Sequence, residues 1–174
     1  NNLYVRFHEE MKSRPELEDQ GRNEFKKLEE GDKENRKLWE WFKKESLEEF
    51  KKIYETLRVK FDTYNGESFF EKDLKPLVIE LKNKRLAKES EGALIVNLDK
   101  FNLPPALIQR SDGASLYLTR DIAALKYRLK EYKPEKILYV VGNEQSLHFE
   151  QLKAIAEISG LGKSEINHVK FGLI

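Results

Sequence analysis

The sequence predicts an α/β protein: a parallel strand layer in its last third, preceded by a mainly helical region. Three observations carry this. Lys136-Ile137-Leu138-Tyr139-Val140-Val141 is a near-continuous apolar run, as expected of a strand covered on both faces. Helical patterns flank it, from Thr119-Arg120-Asp121 through Tyr132 on one side and from about Gln145 to Ser159 on the other. Residues 3 to about 58 read as helices, and from Lys33 to Leu57 the apolar residues recur three and four apart with Lys and Glu between them. In such layers, ligands sit at the carboxyl ends of the strands.

Taken in order, Ser13-Arg14-Pro15-Glu16 predicts a helix start, with Ser13 as N-cap, proline near the first helical position and acids in the first turn. Gly31-Asp32 ends that helix and caps the next, over Lys33 to Leu57. Its stripe of Leu38, Trp41, Phe42, Leu47, Phe50, Ile53, Tyr54 and Leu57 suits packing on a neighbouring helix, with an RNA or partner-protein surface as the alternative. Asn65-Gly66 marks a turn, and Lys72 to Lys84 a helix with Pro76 early in it. Ala93 to Leu98 reads as a short strand, and Pro104-Pro105 as punctuation. Ala106 to Arg110 and Ser115 to Leu118 flank Asp112-Gly113, the pattern of a β-hairpin over 106–118. Lys133-Pro134 closes the following helix, Gly142 turns the chain after its strand, and Gly160 and Gly162 stop the last helix. Val169 to Ile174 is expected to be the next strand. A helical domain over 1–105 and an α/β half over 106–174 follow.

Composition narrows the chemistry. Lys and Arg number 32 against 31 Asp and Glu, so a net charge of +1 gives no global pull on a polyanion. Without cysteine there is no thiolate metal site, and three scattered histidines do not make a zinc centre, so no metal is expected. No run approaches the roughly 18 apolar residues of a membrane span, which points to a soluble, cytoplasmic protein without a membrane partner. Asn1 opens the chain without an initiator methionine, and the apolar run His168 to Ile174 stops abruptly; an excised piece of a longer protein is expected.

Three polar residues stand at the expected strand ends: Tyr117, Asp121 and Gln145. Asp121, at a helix start, is stabilised there by the macrodipole whether or not it binds anything. Tyr117, on the incoming strand, is either a packing residue or a hydroxyl in a site. Gln145 follows Gly142, a residue that lets a ligand approach the backbone. Together, a carboxylate, a phenol and a carboxamide make an acceptor-rich pocket suited to a cation, above all a guanidinium, whose planar fork matches a carboxylate. His148, in the first turn of its helix, either faces a ligand or is structural; His8 and His168 receive no role. No Walker loop, GxGxxG or GxSxG is present.

SDGASLYLTRDIAALKYRLKEY followed by KILYVVGNEQSLHFEQL resembles the catalytic domain of the arginyl-tRNA synthetases, a class I aminoacyl-tRNA synthetase family. LYVRFHEE, LWEWFKKESLEEFKKIYETLRVKFD and GESFF are similar to that family's helical connective insertion, so the resemblance covers nearly the whole chain in order. It implies the second half of a Rossmann-like nucleotide-binding fold behind the insertion. It also implies ATP-dependent activation of arginine and its transfer to tRNA(Arg), with Mg-bound ATP as substrate and no tightly held cofactor. Tyr117, Asp121 and Gln145 would contact the arginine, with Gly142 and His148 in the vicinity of ATP and substrate. The family's HIGH-type and KMSKS-type motifs do not occur in these residues, so the piece alone is expected to be inactive. With half a sheet, strand 137–141 would show an apolar edge through which the piece could self-associate. Two alternatives remain: a different nucleotide-binding α/β transferase, and a non-catalytic interaction module built on the charged helices of 15–58.

Overall fold

A computed structural model describes residues 2–172. The chain divides into two compact units, residues 1–63 and 64–174.

The first unit is three helices: α1 (Asn2–Ser13), α2 (Glu16–Glu30) and α3 (Lys33–Leu57). Gly31 ends α2 in the left-handed region at φ 88°, where glycine carries no Cβ penalty. Asp32 caps α3 as expected, its carboxylate accepting from Glu34 N at 3.1 Å and Asn35 N at 3.0 Å. Ser13 is not a cap. It is the last residue of α1, and its hydroxyl donates to the Glu10 carbonyl at 3.1 Å, satisfying a helix-end acceptor. Asn35 Nδ2 ties α3 to α2 through the Glu24 carbonyl at 3.0 Å. None of these helices buries a residue, and Trp41, Phe42, Phe50 and Ile53 of the α3 stripe are exposed.

The second unit holds the core. A 3-10 turn, Glu67–Phe70, leads into α4 (Glu71–Asn83), with Pro76 at its sixth position. Strands β1 (Ala87–Ser90), β2 (Ala93–Val96) and β3 (Ala106–Gln109) form an antiparallel sheet in the order β1-β2-β3. The expected division at 105/106 therefore falls inside one sheet. The β1-β2 turn places Glu91 and Gly92 at φ 50° and 79°, two successive positive values of the kind that suits tight hairpins. Helix α5 (Tyr117–Glu131) leads to β4 (Lys136–Gly142); a 3-10 turn, Asn143–Gln145, and α6 (Ser146–Ile158) then lead to β5 (Glu165–Phe171). β4 and β5 pair in parallel from Lys136↔Glu165 to Gly142↔Phe171, the βαβ unit expected of the α/β half. Leu81, Leu98, Ile108, Ile122, Leu125, Leu152 and Ile155 are the largest fully buried apolar side chains.

Four further expectations need correction. The hairpin over 106–118 reduces to a turn: Arg110 N donates to Ala114 O at 3.0 Å, and one bridge, Gln109↔Ser115, is all the pairing beyond it. Tyr117 is the first residue of α5, not a strand residue, because Leu118, Ile122 and Leu125 recur at helical spacing and are all buried. Asp121 is consequently the fifth residue of the helix. β4 is covered on one face only: Ile137, Tyr139 and Val141 turn inward, while Leu138 and Val140 are 58% and 66% exposed. Finally, β5 starts at Glu165 rather than Val169; Leu173 and Ile174 lie outside the described residues.

Candidate functional site

The amino-terminal turn of α5 is held by Thr119. This fully buried residue donates its hydroxyl hydrogen to the Ile108 carbonyl of β3. With that turn fixed, Tyr117 and Asp121 lie four residues apart on the same face of α5. Tyr117 is 69% exposed, so it presents its ring to solvent rather than to the core.

Asp121 meets α6, the third helix of the unit. Its Oδ2 lies 2.6 Å from His148 Nε2, and the side chains are 34% and 20% exposed. A carboxylate can only accept, so Nε2 carries the hydrogen. Oδ1 accepts no hydrogen bond among the described residues. His148 is the third residue of α6, and its ring meets Phe149 edge-on at 5.2 Å. Phe149 in turn packs on Tyr139 at 4.9 Å and His168 at 4.5 Å, which seats α6 on the β4–β5 pair.

Gln145 occupies the N-cap position of α6 and is exposed, one turn before His148. Gly142, buried at the carboxyl end of β4, has the Glu144 carboxylate folded against it. Burial pushes the Tyr139 phenol above its ordinary range, and the nearby Asp121 charge acts in the same direction. Arg128 opposes both: Nη1 donates to the Tyr139 hydroxyl at 3.1 Å, and the guanidinium lies over the ring at 5.3 Å.

Of the residues picked out by type, the structure joins Asp121 to His148 directly and to Tyr117 through a shared helix face. No hydrogen bond among the described residues connects Gln145 to either of the α5 residues. His8 belongs to the other unit, and His168 Nε2 contacts the Val141 carbonyl at 2.9 Å. Among the described residues no three of His, Asp and Glu cluster as a cation site. Thr119 escaped the sequence reading. Its signal was a small β-branched polar residue inside the apolar period of Leu118, Ile122 and Leu125. What remains is a half-buried carboxylate with one oxygen held and the other open, beside a phenol, at one end of two helices. Chemically, it is an acceptor for a cationic donor.

Comparison with known proteins places the chain as a whole. Residues 1–174 match the family described as tRNA synthetases class I (R), catalytic domain. The chain is 56% identical over 173 residues to the arginine–tRNA ligase of Enterococcus faecalis, covering 99% of this chain and 31% of that one. It is 53% identical over 172 residues to the ligase of Levilactobacillus brevis, covering 98% and 31%. The crystal structure of arginyl-tRNA synthetase from Plasmodium falciparum superposes with a TM-score of 0.81 at 28% identity, over 91% of this chain and 28% of the other. The chain thus spans about a third of the length of the curated relatives it matches. It belongs to the class I tRNA synthetases specific for arginine, within their catalytic domain.

Proposed function

We propose that the chain carries the guanidinium-binding side of the arginine pocket in an ATP-dependent arginine–tRNA ligase. Asp121 pairs with the guanidinium, Tyr117 offers its hydroxyl from the same helix face, and Gln145 adds polar contacts from the start of α6. Gly142 and His148 border the substrate. The full-length ligase activates arginine with Mg-bound ATP and transfers it to tRNA(Arg) in the cytoplasm. The observation that supports this best is the half-buried Asp121 carboxylate, with Oδ2 on His148 and Oδ1 open. A partly desolvated carboxylate favours a planar cationic fork over a point charge or a neutral ureido group, so lysine and citrulline bind weakly. The HIGH-type and KMSKS-type motifs, which act on the ATP side, are not in these residues, so the chain alone does not charge tRNA. Its open β4 edge and face lead it to self-associate.

Isothermal titration of the chain with arginine, lysine and citrulline tests the pocket. The expected result is arginine-selective heat that weakens about a hundredfold or disappears in Asp121→Asn. Equal heats from arginine and lysine, or an Asp121→Asn chain that binds arginine unchanged, would sink the assignment.

A further inference from the structure

We propose that His148 is a positioning residue: from α6 it holds one oxygen of Asp121 and so sets the plane in which the carboxylate meets a guanidinium. The proposal rests on Asp121 as the guanidinium's partner. An aspartate carboxylate turns broadly about its last torsion, with no deep staggered wells to fix it. A point charge tolerates that rotation, whereas a guanidinium fork needs both oxygens in its own plane. The structure supplies a brake. His148 Nε2 grips Oδ2 at 2.6 Å from a different helix, 27 residues away in sequence. The ring is itself fixed, 20% exposed and edge-on to Phe149 at 5.2 Å, and Phe149 is buried against Tyr139 and His168.

Arg128 does not compete for this contact. Arg128, on the same helix as Asp121, is turned to the Tyr139 hydroxyl and ring, and Tyr139 itself bonds Arg128. The carboxylate has about four lone-pair sites. One is spent on His148, which leaves Oδ1 and the far side of Oδ2 for two parallel N–H donors. His148 therefore orients without blocking. Its loss relaxes the plane, which weakens arginine more than lysine and narrows the selectivity between them.

The test is a double-mutant cycle in a full-length arginine–tRNA ligase carrying these 174 residues, read as the KM for arginine, the KM for ATP and kcat of tRNA charging. His148→Ala is expected to raise the arginine KM about tenfold, the worth of one hydrogen bond to a charged group. The ATP KM stays unchanged and kcat moves less than about threefold. His148→Gln, whose amide N–H replaces Nε2–H, recovers most of the loss. His148→Asn, too short to reach Oδ2, does not, and this separates orientation from mere filling of the space. Added to Asp121→Asn, His148→Ala costs nothing further, because the group it positions is gone. Full additivity with Asp121→Asn, or equal rises in the arginine and ATP constants, would overturn the positioning role and leave Asp121 standing. An arginine KM unmoved by Asp121→Asn would remove both.

Discussion

Asp121 is governed by its partners rather than by its helix. As the fifth residue of α5 it lies beyond the first turn, where the macrodipole's influence fades, so the His148 contact and the open Oδ1 decide what it does. The backbone beneath it is set by Thr119, whose hydroxyl ties α5 to the Ile108 carbonyl in a site without solvent. Replacing Thr119 by the near-isosteric Val removes that bond and leaves a buried carbonyl less satisfied. Stability is expected to fall by about 1–2 kcal/mol, with weaker arginine binding because Tyr117 and Asp121 are carried by the helix end that this bond anchors. Denaturant unfolding checks the first and titration the second; unchanged stability would mean that the hydroxyl contributes nothing. Residue types were legible in the sequence: Tyr117, Asp121 and Gln145 stand out as acceptors at strand-to-helix junctions. Their arrangement was not. The Asp121–His148 contact joins two helices through a separation that no local spacing encodes, and Tyr117 read as a strand residue because the Asp112-Gly113 turn mimics a hairpin.

Among the elements, α3 was legible to its ends, because Gly31, Asp32 and the three-four apolar spacing all state the same boundary. Strand β1 was not. Ala87-Lys88-Glu89-Ser90 has neither alternation nor β-branched residues, and pairs only because β2 offers it a partner across Glu91-Gly92. The genuine hairpin turn is thus Glu91-Gly92 and not Asp112-Gly113. Packing of α4 on α5 includes a polar joint of the same non-local kind. Glu80 accepts from Lys126 of α5 and pairs at 2.9 Å with Lys84, the residue that follows its own helix, and the Lys126 hydrogen bond is the largest cause holding its carboxyl below the ordinary value. A depressed carboxyl pKa contributes stability that is present above the unfolded value near 4.5 and is lost as the pH falls through the folded one. Glu80→Gln is therefore expected to lower the melting temperature at pH 7, by about 1 kcal/mol in stability for this partly screened joint, and to flatten its decline in acid. Parallel melting curves for the two chains down to pH 3.5 would contradict this.

At the scale of the whole molecule, one apolar surface that stays open is the outward face of the parallel pair. Parallel register sets Val140 beside Val169 and Gly142 beside Phe171, so Leu138, Val140, Val169 and Phe171 share one face, and all four are exposed. The edge of β4 away from β5 carries no ladder among the described residues, so backbone donors and acceptors line the same margin. The near-continuous apolar sequence of β4 is that of a strand built for cover on both sides, yet here one side has it. Burying the open side stabilises a pair of chains by roughly 25 cal/mol for each Å² removed from water, while the ladder groups gain partners. The isolated chain is accordingly expected to associate, its weight-average mass by light scattering rising with concentration. Val140→Lys sets a charge at the centre of that face without touching the core and should weaken association about tenfold or more. Because Val140 points away from α5 and α6, the variant keeps its melting temperature and its arginine heat. A chain that stays monomeric at every concentration would show that this face is closed to a second copy; association undiminished by Val140→Lys would move the contact elsewhere, with the exposed stripe of α3 the next surface to mutate.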